Sequence, residues 1–206
     1  MEQRIGRRVN VIGDSNAGKS TLAEQLAARW GVPFVELDAL HWEPGWVEAD
    51  LSVFRERVRR AIEPDGWVVA GNYRSTVQDI TWAAADTVVW LDLGLPTLIS
   101  RCLARSWRRW RSGELLWGTN RERFWDQLML WDRQKSLIAF TLWTHGGRRR
   151  AYAAAMADPR WAHLRFVRLR SAGEVQAWLS DVLAEGAPGV AEATPGEAPA
   201  GSAVSG

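Results

Sequence analysis

Apolar positions in this chain of 206 residues fall into two alternating patterns. Short, mostly apolar strand-like runs predict strands at Val9 to Ile12, Phe34 to Leu37, Trp67 to Ala70, Thr87 to Leu91 and Leu164 to Leu169. Between them, apolar residues recur at helical spacing and predict helices at Lys19 to Trp30, Ser52 to Ile62, Thr76 to Ala84, Pro96 to Trp110, Arg121 to Leu142 and Ala172 to Ala184. In the first of these, Leu22, Leu26 and Trp30 repeat along one face with Ala23 and Ala27 beside them. Strand and helix taking turns argues for an α/β fold around a parallel sheet. Such sheets hold ligands at the carboxyl ends of their strands, where Gly13, Asp38, Gly71 and Asp92 fall.

The loop between the first strand and the first helix carries the chemistry. Gly13, Asp14, Ser15, Asn16, Ala17, Gly18, Lys19 and Ser20 match the phosphate-loop pattern G-x-x-x-x-G-K-[ST] in full, and the strand and helix that the pattern requires flank it. Glycines at both ends let the backbone turn tightly and approach a phosphate without a Cβ in the way. The loop N–H groups and the positive end of the helix make an anion site for the inner phosphates of ATP. Lys19 is expected to reach the β- and γ-phosphates and Ser20 to ligate Mg²⁺, with Thr21 the neighbouring hydroxyl.

Composition narrows the class. A chain 47% hydrophobic and 24% charged is sufficient for one sizeable core, and its lone cysteine, Cys102, cannot form an internal disulfide and reads as a small buried filler. No apolar run reaches membrane-spanning length, and Met1 to Arg8 lacks the apolar stretch of a signal peptide, so a cytoplasmic protein with no membrane partner is expected. Glu185 to Gly206 is a Gly, Ala, Pro, Ser and Glu tail expected to be disordered, leaving residues 1–184 as a single domain. Since that tail carries three glutamates and no cation, the net charge of +2 becomes +5 for the domain. The chain has fourteen tryptophans, and all but two of its 26 basic residues are arginines.

Four blocks point to a family. L-D-A-L-H-W-E-P-G-W from Leu37, W-V-V-A-G-N-Y-R from Trp67, V-V-W-L-D-L from Val88 and T-H-G-G-R-R-R from Thr144 resemble the adenylate-kinase-related P-loop proteins known as topology modulation proteins, over about Val9 to Arg170. The resemblance implies a P-loop NTPase fold of nucleotide-kinase type: a parallel five-stranded sheet flanked by helices, an acceptor-binding segment after the second strand, and a helical lid over about 101–150. It also implies roles. Asp38 is the first-choice carboxylate near Mg²⁺ or the acceptor hydroxyl, Asp92 the second metal carboxylate, and Arg74 the arginine that clamps the acceptor, with His41 and Trp42 lining its pocket. Adenylate kinases carry Asp-Gly-Phe-Pro-Arg where this chain has Ala70, Gly71, Asn72, Tyr73 and Arg74. The missing aspartate shifts its metal role to Asp38 or Asp92.

Arg101, Arg105, Arg108 and Arg109 lie four, seven and eight residues apart and so share one helix face in the lid segment. Arginines closing over a transferring phosphoryl group stabilise its charge, and Arg105 and Arg109 are the leading candidates, followed by Arg121, Arg123 and Arg148 to Arg150. Trp107 and Trp110 are read as core or hinge packing. These features add up to an ATP- and Mg²⁺-dependent kinase or ATPase, its γ-phosphate passing to a small acceptor. The alternative is a nucleic-acid-associated ATPase that modulates DNA topology, with arginines on phosphates and tryptophans stacked on bases. The small excess charge and the lack of a helix-turn-helix, zinc or oligonucleotide-fold signature count against it, as the lack of an N-K-x-D motif counts against a GTPase.

Overall fold

The computed structural model describes residues 5–112, 115–116, 120–121 and 136–185. Strand β1 (Arg8–Gly13) is buried after its first residue. A strand buried on both faces belongs in the middle of a parallel sheet, and β1 occupies that place. Helix α1 (Lys19–Trp30) follows it, then β2 (Phe34–Glu36), a short helix α2 (Leu37–His41), a hairpin of β3 (Trp42–Glu43) with β4 (Val47–Glu48), and helix α3 (Leu51–Ala61). Strand β5 (Trp67–Ala70), helix α4 (Gln78–Ala84), β6 (Thr87–Leu91) and α5 (Leu95–Ser112) come next. A bridge of β7 (Leu115–Leu116) with β8 (Asn120–Arg121), the long helix α6 (Leu137–Met156), β9 (Arg165–Leu169) and α7 (Ala172–Glu185) complete the order.

The main sheet has the order β2-β5-β1-β6-β9, and every pairing in it is parallel. The two-residue period of each strand divides the core into two layers. Val9, Val11, Val68, Val89 and Leu91 pack with Leu22 and Leu26 of α1 and Leu179 and Val182 of α7. Ile12, Val69, Val88 and Trp90 face the other way, onto Phe54 and Val58 of α3, Trp82 of α4 and Tyr152 of α6. The one polar residue inside β1, Asn10, is accounted for on that second face: its Nδ2 donates to the Val69 carbonyl at 3.2 Å and its Oδ1 accepts from Trp82 Nε1 at 2.9 Å.

All five predicted strands and the α/β class are present. Strand β2 stops one residue early, at Glu36, so Asp38 stands in the first turn of α2 rather than at a strand end. The largest correction concerns the helix predicted from Arg121 to Leu142. Arg121 lies in β8, residues 122–135 fall outside those described, and α6 starts at Leu137, where the Ser136 side chain caps the Ala139 N–H at 3.2 Å, and continues to Met156. Its second half escaped because Gly146 and Gly147 interrupt the apolar period. Of the predicted tail, Glu185 closes α7 and 186–206 lie outside the described residues. Cys102 is buried as expected. Trp107 and Trp110 are not core: both are about half exposed, with ring centroids 5.2 Å apart. Among the described residues no helix is long and apolar enough to cross a membrane.

Candidate active site

The loop after β1 has the geometry that a phosphate cradle demands. Gly13 (φ 149°) and Gly18 (φ 96°) both adopt backbone conformations closed to most side chains, and a Cβ on Gly13 would stand 2.7 Å from the Leu91 carbonyl oxygen. Gly18 precedes the first turn of α1 with no side-chain cap, which leaves the first helical N–H groups available to an anion. Asn16 takes a left-handed conformation (φ 66°), tolerable for asparagine, and Ala17 is buried with its N–H on the Asp14 carbonyl at 3.2 Å. Lys19 Nζ donates to the same Asp14 carbonyl at 3.0 Å. Asn72 holds the start of the loop, its Oδ1 accepting from the Gly13 N–H at 3.0 Å and its Nδ2 donating back to the Gly13 carbonyl. Ser15 is half-buried and Thr21 is exposed on α1.

Two carboxylates from the end of β2 and the start of α2 meet this loop. Ser20 Oγ donates to Glu36 Oε1 at 2.7 Å, which leaves the hydroxyl oxygen free to act as a ligand. Lys19 is half-buried, and its surroundings tilt its ammonium below the ordinary 10.5: burial dominates, the charges of Arg148 and Arg105 push the same way, and Asp38 and Asp14 oppose them. Those four side chains therefore all lie within electrostatic reach of the lysine. Within electrostatic reach of Asp38 stands Tyr73, whose hydroxyl is pushed well above its usual range by burial first and then by the Asp38 carboxylate. Among the described residues no three His, Cys, Asp or Glu side chains form a metal cage. A hydroxyl and two nearby carboxylates are nonetheless hard oxygen donors suited to Mg²⁺, which is commonly held by one or two carboxylates together with substrate phosphates.

Asp92 is differently engaged. At the end of β6 and 4% exposed, it ion-pairs through Oδ1 with Arg149 Nε at 2.8 Å and through Oδ2 with Arg168 Nη2 at 2.7 Å. Arg168 Nε and Arg149 Nη2 add hydrogen bonds to Oδ2, each 3.0 Å long. The carboxylate expected to serve as a second metal ligand is thus taken up by two guanidiniums that tie β6 to α6 and β9. Asp14 is treated in a similar way: its Oδ2 lies 2.6 Å from His145 Nδ1 and its Oδ1 3.1 Å from Arg148 Nη1, both from α6.

No family model matches the chain, and no curated protein matches it. Solved structures similar to it include a gluconokinase from Sinorhizobium meliloti, at 22% identity over 89% of this chain and 97% of the other, TM-score 0.47. A shikimate kinase from Bacteroides thetaiotaomicron is similar at 13% identity over 86% of this chain and 97% of the other, also with a TM-score of 0.47. At these identities and scores the function rests on the site's own residues.

The arginine face of α5 divides. The buried stripe of Leu98, Cys102 and Ser106 sets its rotation, and Arg101, Arg105 and Arg109 flank that stripe half-buried while Arg108 is exposed. Arg101 Nη1 donates to the Ala17 carbonyl at 2.9 Å and so braces the phosphate loop. On the acceptor side, the His41 ring lies 4.9 Å from Trp42, 4.9 Å from Phe54 and 4.6 Å from Tyr73, centroid to centroid. Arg74 is exposed just beyond, within electrostatic reach of Tyr152 on α6. Arg121 lies in β8 and Arg123 outside the described residues. Glu36, Asn72, Tyr73 and His145 were not foreseen as site residues. Glu36 had a signal, standing two residues before Asp38 at a strand end; His145 lay inside the T-H-G-G-R-R-R block, but its pairing with Asp14, 131 positions away, had none.

Proposed function

We propose that the protein is an ATP- and Mg²⁺-dependent phosphotransferase that passes the γ-phosphate to a hydroxyl of a small acceptor. The observation carrying this reading is the convergence on one phosphate loop of Lys19, Arg105 and Arg148 with Asp38, a carboxylate that also lies within electrostatic reach of Tyr73 in the aromatic group with His41 and Trp42. Loop N–H groups and Lys19 bind the triphosphate and hold it in line. The hydroxyl oxygen of Ser20 and the Asp38 carboxylate would hold Mg²⁺, with Glu36 keeping the Ser20 proton turned away. When bound, the metal supplies neutralisation of phosphate charge. Asp38 accepts the proton of the attacking acceptor hydroxyl, and Tyr73, kept neutral by its surroundings, orients it by donating a hydrogen bond. Arg105 and Arg148 meet charge that builds on the equatorial oxygens, and Arg74 clamps the acceptor.

A DNA-modulating role draws no support from this arrangement, since Arg101 and Arg105 serve the loop rather than an outer basic surface. The deciding experiment incubates the protein with Mg-ATP and a panel of nucleosides, nucleotides and hydroxylated metabolites and looks for a phosphorylated product by mass spectrometry. Lys19→Ala, which removes a charge-assisted phosphate contact, weakens ATP binding by more than about tenfold. ATP affinity unchanged in that variant overturns the assignment.

A further inference from the structure

We propose that His145 is a positioning residue for the phosphate loop: through Asp14 it fixes the carbonyl on which Lys19 rests, so that α6 sets the aim of the lysine. This rests on the phosphotransferase reading of the same loop. Position 14 is a free position in the loop pattern, and a carboxylate there is the wrong sign for a triphosphate site. The fold answers by burying it, 7% exposed, against His145, which is equally buried, and Arg148. Because a carboxylate can only accept, Nδ1 of His145 must carry the proton in the 2.6 Å contact, whether the ring is neutral or charged. The main chain of the same residue receives Lys19 Nζ at 3.0 Å and the Ala17 N–H at 3.2 Å.

Asp14 is therefore gripped at its carboxylate by α6 and at its carbonyl by the two groups that shape the anion site. Intrinsic helix preference does little to hold the imidazole there. Gly146 and Gly147 follow it directly, in space that would accept a methyl group on either, and glycine is a poor helix former. Arg148 on α6 is the charged side chain paired with Asp14 beside His145, and Lys19 on α1, resting on the Asp14 carbonyl, itself feels Asp38 on α2 and Arg105 on α5. If the contact with Asp14 is lost, the loop keeps Arg148 but loses the short bond, and the perch of Lys19 loosens.

Isosteres separate this role from simple packing. The amide nitrogen of asparagine falls where Nδ1 of histidine lies, whereas that of glutamine falls near Nε2. In His145→Ala and His145→Gln, amides of residues 13–20 exchange hydrogen faster without nucleotide, and Mg-ATP affinity falls about tenfold, the loss expected for one charge-assisted bond. His145→Asn restores both to within about threefold of the wild type. Should the alanine variant not fold, the asparagine and glutamine pair makes the same decision. Loop exchange unchanged in His145→Gln, or glutamine rescuing as well as asparagine, overturns the proposal. A wild-type protein without ATP affinity overturns the phosphotransferase reading instead, and the exchange arm still judges the contact.

Discussion

Asp92→Asn distinguishes a structural carboxylate from a metal ligand, and the structure sets the size of the effect. The side chain is 1% exposed, and its partners differ: Arg168 is 25% exposed and stacks on Trp90 with Cζ 4.2 Å from the ring centroid, whereas Arg149 is 45% exposed. Contact between unit charges at about 4 Å is worth about 4 kcal/mol at an effective dielectric near 20, but desolvating the buried carboxylate offsets much of it. The Arg149 pair is largely solvated and contributes at most about 1 kcal/mol. Asparagine keeps one acceptor for Arg168 and loses the charge, so the variant should be destabilised by about 2–3 kcal/mol, a fall in Tm of about 5–10 °C for a domain of this size. Urea unfolding measures the first and thermal unfolding the second. Mg-ATP affinity, read by calorimetry below the melting transition, should stay within about threefold of wild type, because the loop and Ser20 hold the ligand. A variant as stable as the wild type that has lost Mg-dependent nucleotide affinity would refute this reasoning and return Asp92 to the metal site.

Asp38→Asn should lower phosphate-transfer turnover by about a hundredfold with little change in ATP affinity, since it removes the proton acceptor and leaves the loop intact; equal turnover in the two proteins sinks the role. Alkaline pH should weaken nucleotide binding through Lys19. Its ammonium is held below 10.5, chiefly by burial, and phosphate charge draws the value back up, so binding takes up a proton and affinity falls as pH rises past the lowered value. The same shift makes charged Lys19 a cost to folding, relieved as pH rises past its lowered value. Calorimetry in buffers of different ionisation enthalpy reads the uptake, which Lys19→Ala should abolish. Asn10→Ala, which strands the buried Trp82 N–H, should cost about 2–3 kcal/mol in urea unfolding with no direct effect on nucleotide binding.

Sequence patterns were sufficient for the middle of the sheet because burial on both faces writes a strand as a near-continuous apolar run, as in Trp67–Ala70 and Thr87–Leu91, while the edge strands β2 and β9 carry charged residues and show shorter apolar stretches. The phosphate loop was legible because its backbone shape demands glycine and its ligand demands lysine at fixed spacing. Asp38 and Arg74 come from resemblance; the first stands in the opening turn of α2 and the second, exposed, in the loop after β5. What the pattern could not carry was charge pairing across long stretches of chain. Asp92 reads the same in one dimension whether it faces a metal or an arginine, and only the register of β6 with β9, which sets Trp90 opposite Arg168, brings the second cation to it.

That pairing explains why α6 matters more than its composition suggests. Carboxylates follow both β1 and β6, adjacent strands whose ends border the phosphate loop, and left bare they would repel the triphosphate proposed to bind there. Helix α6 supplies His145 and Arg148 to the first and Arg149 to the second. The three donors fall within five consecutive positions, little more than one helical turn, so one rotation of α6 serves both strand ends. The T-H-G-G-R-R-R block thus brings one turn of a single helix to two acids at once, pairing Asp14 with His145 and Arg148 and Asp92 with Arg149.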